Sequence, residues 1–355
     1  MAAIFNCVVL ALCVRPRSEC VFDVPPLALI TGGLGFIGSN LALRLALQGQ
    51  SAMLIDSLNP SYGGNLHNLA ACPSDPLLQV NISDVRDQHS LQCLLRAAPV
   101  LYNLAGQTSH MDSMTDPFTD LEINARAQLS ILEVCRQVAP QVRIVYASTR
   151  QIYGKPHYLP ADEAHPLQPV DVNGINKLAG ENYHLLYSQV HGIRSTVLRL
   201  TNTYGPRMRI KDARQTFLGV WIRNLLQGQS FEVWGGDQLR DYTYVDDCVS
   251  ALQLAANSDA AIGQIYNLGG CGSPVSLLET AETLVAAARD LDLPLATEPF
   301  VVREYPAERK KIDIGDYYAD DRKIRQQLGW QPQVDLREGL RRTLAYYATE
   351  LEHYL

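Results

Sequence analysis

The chain has 355 residues, 47% of them hydrophobic, enough to bury a full core as two domains or one large α/β unit. Its 30 Lys and Arg against 37 Asp and Glu give a net charge of −7 with no basic run, which argues against a nucleic-acid partner while allowing a few arginines to gather around an anionic small molecule. The eight cysteines are scattered, without CxxC pairs or histidines at ligand spacing, so neither a disulfide framework nor a metal site is expected and a cytoplasmic location is the default.

Residues 1–26 read as an N-terminal extension. Ala2 to Val14 is apolar, but its 13 residues are too few to span a bilayer, and Arg15 and Arg17 follow the run where a secretory signal puts its charge first. No membrane partner is expected; a weak anchor is the alternative for this segment.

The apolar run Leu27 to Thr31 predicts the first strand. It opens into Thr31-Gly-Gly-Leu-Gly-Phe-Ile-Gly38, the amphipathic stretch Asn40 to Leu47 predicts a helix, and a second run, Ala52 to Ile55, ends on Asp56, 24 positions after Gly32. A glycine-rich turn between strand and helix lets backbone N–H groups approach a pyrophosphate, and an acidic residue about 20 positions on can take a ribose hydroxyl. Glycines alone would mark only a tight turn; strand, helix and Asp56 together predict a dinucleotide site. Further apolar runs at Leu77 to Val80, Val100 to Leu104, Val142 to Ala147 and Ser195 to Leu200 are separated by helix-length amphipathic segments. That rhythm predicts parallel βαβ units: an α/β fold with a Rossmann-type doubly wound parallel sheet over residues 27–204, its ligands at the carboxyl ends of the strands. From about Gly205 the elements shorten, with Phe231 to Trp234, Gln264 to Leu268 and a terminal helix Leu336 to His353, so residues 205–355 are expected to form a smaller substrate-binding lobe interleaved with the first.

Further segments follow in order: Asp84-Val85-Arg86-Asp87; Asn103-Leu104-Ala105-Gly106-Gln107; Asn124; Ala147-Ser148-Thr149 leading to Ile152-Tyr153-Gly154; Lys177-Leu-Ala-Gly-Glu181; Arg199 with Asn202-Thr203-Tyr204-Gly205-Pro206; and Arg240-Asp241-Tyr242 with Val245-Asp246-Asp247. In this order and spacing they resemble the extended short-chain dehydrogenase/reductase family, the nucleotide-sugar epimerases and dehydratases, over about residues 27–350. The resemblance implies that Gly32, Gly35, Phe36, Ile37 and Gly38 form the pyrophosphate turn, Asp56 holds the adenosine ribose, and Asp84 and Val85 touch adenine. It also implies that Leu104, Ala105 and Gly106 pass under the cofactor and that Lys177 binds the nicotinamide ribose. An acidic Asp56 repels a 2′-phosphate, so NAD is expected rather than NADP. Gln107, Asn202 and Arg240 resemble substrate contacts, Arg240 to the diphosphate, with an ion pair to Asp241 as its plainer alternative. Arg309 and Lys310 either add to that phosphate site or form a solvated turn; Thr203, Arg207, Arg214 and Trp221 are candidates for lining the sugar pocket. Apolar stripes on Leu121 to Val138 and Ile175 to Val190 could pair as a homodimer seam or face their own sheet.

One departure bears on the chemistry. The family's catalytic base is a tyrosine four residues before the lysine, and here that position is Asn173, whose amide can hydrogen-bond a sugar hydroxyl but cannot act as a base. The 4,6-dehydratases resemble Ser-Thr-Asp-Glu where this chain reads Ser148-Thr149-Arg150-Gln151, so the acid and base of elimination are absent, and the decarboxylases lose their glutamate equivalent as well. Thr149 matches the residue that hydrogen-bonds the reacting oxygen. Lys177, or a water held by Thr149 and Asn173, is the first choice for the proton, His110 the second; Tyr153 and Asp112 are further candidates with structural alternatives. The function expected is an NAD-dependent UDP-hexose 4-epimerase, with a binding protein that has lost catalysis, or a nucleotide-sugar oxidoreductase or dehydratase, as alternatives.

Overall fold

Six of the apolar runs become neighbouring parallel strands, five of them largely buried and the sixth at the sheet edge. The computed structural model describes residues 28–59, 62–72, 75–214, 216–307 and 312–355; the extension over residues 1–26, Arg309 and Lys310 lie outside them. In chain order the first half contains β1 (Ala28–Thr31), α1 (Phe36–Leu47), β2 (Ala52–Asp56), β3 (Leu78–Ile82), α2 (Gln88–Leu95), β4 (Val100–Asn103), α3 (His110–Thr115), α4 (Pro117–Leu121), α5 (Ala127–Val138), β5 (Arg143–Thr149), α6 (Val172–His191) and β6 (Arg194–Leu200). The second half adds β7 (Asn202–Tyr204), α7 (Phe217–Leu226), β8 (Phe231–Trp234), β9 (Leu239–Arg240), β10 (Tyr242–Tyr244), α8 (Val245–Asn257) and β11 (Ile265–Asn267).

The main sheet runs β3-β2-β1-β4-β5-β6-β11, all parallel, and neighbouring side chains alternate between two cores. Leu29, Met53, Leu101 and Ile144 face α2 and α5, while Ile30, Leu54, Tyr102 and Val145 face the side of α1 and α8. The doubly wound sheet expected from the sequence is therefore present. One placement differs: Ile265–Asn267, expected in the second lobe, pairs with β6 through Ile265 and Val197 and completes the main sheet. α8 likewise packs on α1, β5 and β6, so the second half of the chain returns to the first.

The longest described helix, α6, starts where Asp171 accepts the Gly174 N–H at 2.6 Å and stops at Gly192, whose φ of 70° ends it in a left-handed turn. No described helix is long and apolar enough to cross a membrane. Cys72, Cys135, Cys248 and Cys271 are free thiols, and Cys93 is disulfide-bonded.

Candidate functional site

The carboxyl ends of the parallel strands carry most of the sequence-predicted residues. At the end of β1 the Thr31 hydroxyl donates to Asn103 Oδ1 (3.0 Å) and accepts the N–H groups of Leu104 (3.1 Å) and Ala105 (3.2 Å), locking the ends of β1 and β4 together. Gly32 then turns at φ +68°, and a Cβ there would stand 3.0 Å from the Ala105 nitrogen. At Gly38 a Cβ would come 2.2 Å from the Gly32 carbonyl oxygen, so the first turn of α1 rests on the glycine loop itself. The helix begins at Gly35 with no side-chain cap and no acidic residue in its first turn, leaving its N–H groups open to an anion.

Asp56 stands opposite this loop, 8% exposed, accepting the N–H of Leu34 at 3.1 Å and of Leu58 at 2.9 Å. Burial raises its pKa above the ordinary carboxylate value, against the pull of the Leu58, Leu34 and Gly35 amides. An open helix end, glycines that a Cβ would fill and a facing carboxylate fit a dinucleotide. Asp84 pairs with Arg86 at 2.7 Å, which holds its pKa down, and the Val85 side chain is buried in the core beside Met53 and Leu91.

Beneath the end of β4, a Cβ on Gly106 would lie 3.0 Å from both Lys177 Nζ and Asn124 Oδ1, so a glycine here lets the lysine approach. Asn124 Oδ1 is buried without a hydrogen-bond partner. Lys177 donates to the Ala147 carbonyl at 3.1 Å and its Nζ lies 5.1 Å from the centre of the Tyr146 ring. Burial lowers its pKa to about 8, with Asp120 pulling the other way.

Asn173 is 2% exposed and tightly held. Its amide nitrogen donates to the Gln107 carbonyl (2.8 Å) and to Asp120 Oδ2 (2.9 Å), and its backbone N–H to Ser113 Oγ (3.2 Å). The expectation that Asn173 offers hydrogen bonds to a sugar thus narrows: both amide protons face protein acceptors, and only Oδ1 has none among the described residues. Asn176 Nδ2 holds the other Asp120 oxygen at 2.8 Å, so the fully buried carboxylate is bracketed by two amides. Asp120, on the short α4, belongs to none of the segments singled out from the sequence, although Asn124 lies one helical turn on. Gln107 itself is 1% exposed, its side chain donating to the Ser109 carbonyl at 3.0 Å.

Thr149, at the tip of β5, accepts the Gln151 N–H at 3.2 Å. Tyr153 is fully buried, donates to Asn267 Oδ1 at 2.6 Å and accepts from Arg199 at 2.7 Å; burial raises its pKa to about 12, which removes it as a base.

A cavity of about 600 Å³ opens between these strand ends and residues from the second half of the chain. Residues near the strand ends line it with Ser109, His110, Arg150, Gln151 and Asn202, the α7–β8 segment adds Trp221, Phe231 and Trp234, and Arg240 and Asp313 also line it. Arg214 and Trp221 line it as expected, whereas Thr203 and Arg207 do not; Arg207 donates to Asn68 O and Asn40 Oδ1 instead. Arg240 is 6% exposed and pairs with Asp313 at 3.3 Å, not with Asp241, while its Nη1 donates to the carbonyls of Leu239 (2.9 Å) and Gly315 (2.5 Å). Asn202 accepts from Arg150 Nη2 at 3.0 Å and donates to the Asp241 carbonyl at 3.0 Å. His110 Nδ1 lies 2.9 Å from Asp171 Oδ2, a carboxylate with no exposed side-chain surface that also takes the Gln151 amide at 3.0 Å. Apart from the cavity, His67, Glu350 and His353 bring possible metal-ligand atoms within 4.8 Å of one another, although His67 Nε2 is engaged by Glu350 at 2.7 Å.

A sequence profile of the family described as GDP-mannose 4,6 dehydratase matches residues 29–343. UDP-glucose 4-epimerase of Mycolicibacterium smegmatis is 30% identical over 321 residues, 90% of this chain and 97% of that protein. UDP-glucuronic acid decarboxylase 1 of Xenopus tropicalis is 29% identical over 333 residues, 92% of this chain and 73% of that one. The crystal structure of UDP-glucuronic acid 4-epimerase from Bacillus cereus, in complex with UDP-glucuronic acid and NAD, superposes with a TM-score of 0.79 at 25% identity, covering 91% of this chain and 99% of that one.

Proposed function

Because the chain belongs to the extended short-chain dehydrogenase/reductase family of nucleotide-sugar epimerases and dehydratases, we propose that it is a nucleotide-sugar epimerase, inverting C4 of a UDP-linked hexose without a catalytic tyrosine. The cofactor is NAD, which when bound takes a hydride from the sugar and returns it to the opposite face of the keto sugar. The observation that carries the reading is the end of β5. Where elimination needs two carboxylic acids this chain has Arg150 and Gln151, with the Gln151 amide tied to Asp171, while the dinucleotide cradle and Lys177 are both in place. A relative in complex with UDP-glucuronic acid supports the choice of UDP.

Lys177 is our assignment for the hydroxyl proton. Burial leaves part of its amine neutral near pH 8, and its Nζ reaches the carbonyl of Ala147, two residues before Thr149, which orients the reacting oxygen. His110, backed by Asp171, is the second assignment. Asn173 keeps its place as a shaping residue whose free Oδ1 can accept one sugar hydroxyl. One fact favours a rival, a sugar-nucleotide binding protein without turnover: the position of the usual base is an amide fastened to Asp120.

The discriminating experiment adds UDP-glucose, UDP-galactose or UDP-glucuronate to the purified full-length protein and follows the absorbance of reduced nicotinamide. Transient reduction with interconversion of the sugars is the expected result. Accumulation of the reduced form indicates an oxidoreductase, and silence with a sugar nucleotide bound indicates the binding protein. We further propose a homodimer, supported by exposed apolar side chains on α6 (Ile175, Leu186, Val190) and beside it (Met114, Phe118, Leu121). A monomer by light scattering at micromolar concentration refutes it.

A further inference from the structure

Arg150 is a cation whose charge is favoured by the carboxylates of Asp241 and Asp313 without direct contact. Its Nη1 is buried and has no hydrogen-bond partner, its Nη2 reaches only the neutral Asn202 Oδ1 at 3.0 Å, and it takes part in no ion pair among the described residues. The guanidinium lies 5.4 Å from the centre of the Tyr317 ring, a contact that takes up none of its N–H donors. A second cavity arginine, Arg240, is already neutralised by Asp313 at 3.3 Å. Buried donors without acceptors are uncommon in folded proteins and point to a missing ligand. Burial first, then the nearby Arg240, lowers the Arg150 pKa to about 10, so it remains a cation at neutral pH while gaining from an added anion.

The position of Arg150 indicates which anion. It follows Thr149 directly at the tip of β5, among the strand ends that line the cavity, whereas Trp234, part-buried at the end of β8, offers a ring face for a nucleotide base. A ligand whose base stacks on Trp234 puts its sugar, not its base, beside Arg150. We propose that Arg150 is a carboxylate receptor that selects nucleotide-linked uronic acids, sugars whose C5 substituent is a carboxylate, over their neutral hexose counterparts. Asn202 positions the fork by accepting from Nη2, which leaves Nη1 to make a charge-assisted bond with the acid.

This inference rests on the nucleotide-sugar reading and is tested so that the two can fail separately. Calorimetric titration of the full-length protein with UDP, UDP-glucose and UDP-glucuronate is compared between wild type, Arg150→Met and Arg150→Lys, each checked by circular dichroism. Wild type is expected to bind UDP-glucuronate roughly ten- to hundred-fold more tightly than UDP-glucose, the range of one charge-assisted hydrogen bond. Arg150→Met is expected to abolish that preference while leaving UDP affinity within about threefold, as one rim contact fewer implies. Equal losses for all three ligands show that Arg150 serves the diphosphate and overturn the proposal, as does an unchanged preference in both variants. If neither UDP nor the dTDP, GDP and CDP controls bind wild type, the nucleotide-sugar reading falls and this proposal falls with it.

Discussion

Gly38→Ala isolates the contact between the dinucleotide loop and its helix. The added Cβ would stand 2.2 Å from the Gly32 carbonyl oxygen, where ordinary van der Waals contact begins at 3.4 Å, so the two backbones must part by about 1.2 Å (3.4 less 2.2). The obstacle is main chain, which cannot rotate aside like a flexible side chain. Overpacking of this kind costs roughly 1–3 kcal/mol, while alanine in a helix regains roughly 0.5–1 kcal/mol over glycine. The two nearly offset, and the melting temperature should fall by only a few degrees. If the loop amides hold the pyrophosphate as proposed, they move with the displaced backbone, and losing one charge-assisted hydrogen bond there, roughly 1.5–3 kcal/mol, weakens NAD roughly ten- to hundred-fold. Titration of NAD against the apoprotein, followed by nicotinamide-dependent fluorescence quenching, reads this directly. An alanine variant whose NAD affinity stays within twofold of wild type refutes the placement of the pyrophosphate on this turn.

Three further outcomes are expected. Nicotinamide reduction by substrate should rise with pH through about 8, because the neutral amine of Lys177 is the form that accepts a proton and burial holds its pKa there; a flat profile across one unit on either side removes it as the base. Glu181→Gln leaves Arg199 buried without the carboxylate that now sits 2.5 Å away, both side chains being at most 2% exposed, and should cost roughly 3–5 kcal/mol in a urea melt; a loss under about 1 kcal/mol contradicts the pairing. Burial raises the Asp241 pKa to about 6 from 3.8, so its contribution to stability is fully present below the lower value and lost as pH rises through the upper one. Asp241→Asn should therefore flatten that slope in chemical denaturation across this window, and an unaltered slope assigns it to another group.

Strands buried on both faces read as unbroken apolar runs, which is why β1 and β2 were legible nearly to the residue. β3 was less so: it forms the edge of the sheet, Val80 and Ile82 are 39% and 46% exposed, and its far end carries no apolar run. The sheet to which Ile265–Asn267 belongs could not be read from three residues, because it depends on the return of the chain to β6. The glycine turn, Asp56 and Lys177 were visible because each must be one residue type at a fixed spacing. The partners that decide their chemistry were not. Asp120 with Asn173, Asp171 with His110, Asp313 with Arg240 and Asn202 with Arg150 join residues 52 to 73 positions apart, and only folding brings them together.

The Asn173–Asp120 contact limits which side chain position 173 can carry. Placing a phenol at position 173 withdraws the amide that now satisfies one oxygen of a fully enclosed carboxylate, leaving Asn176 as its remaining side-chain partner. Such an exchange therefore costs stability unless the phenol or a second change supplies a new donor to Asp120.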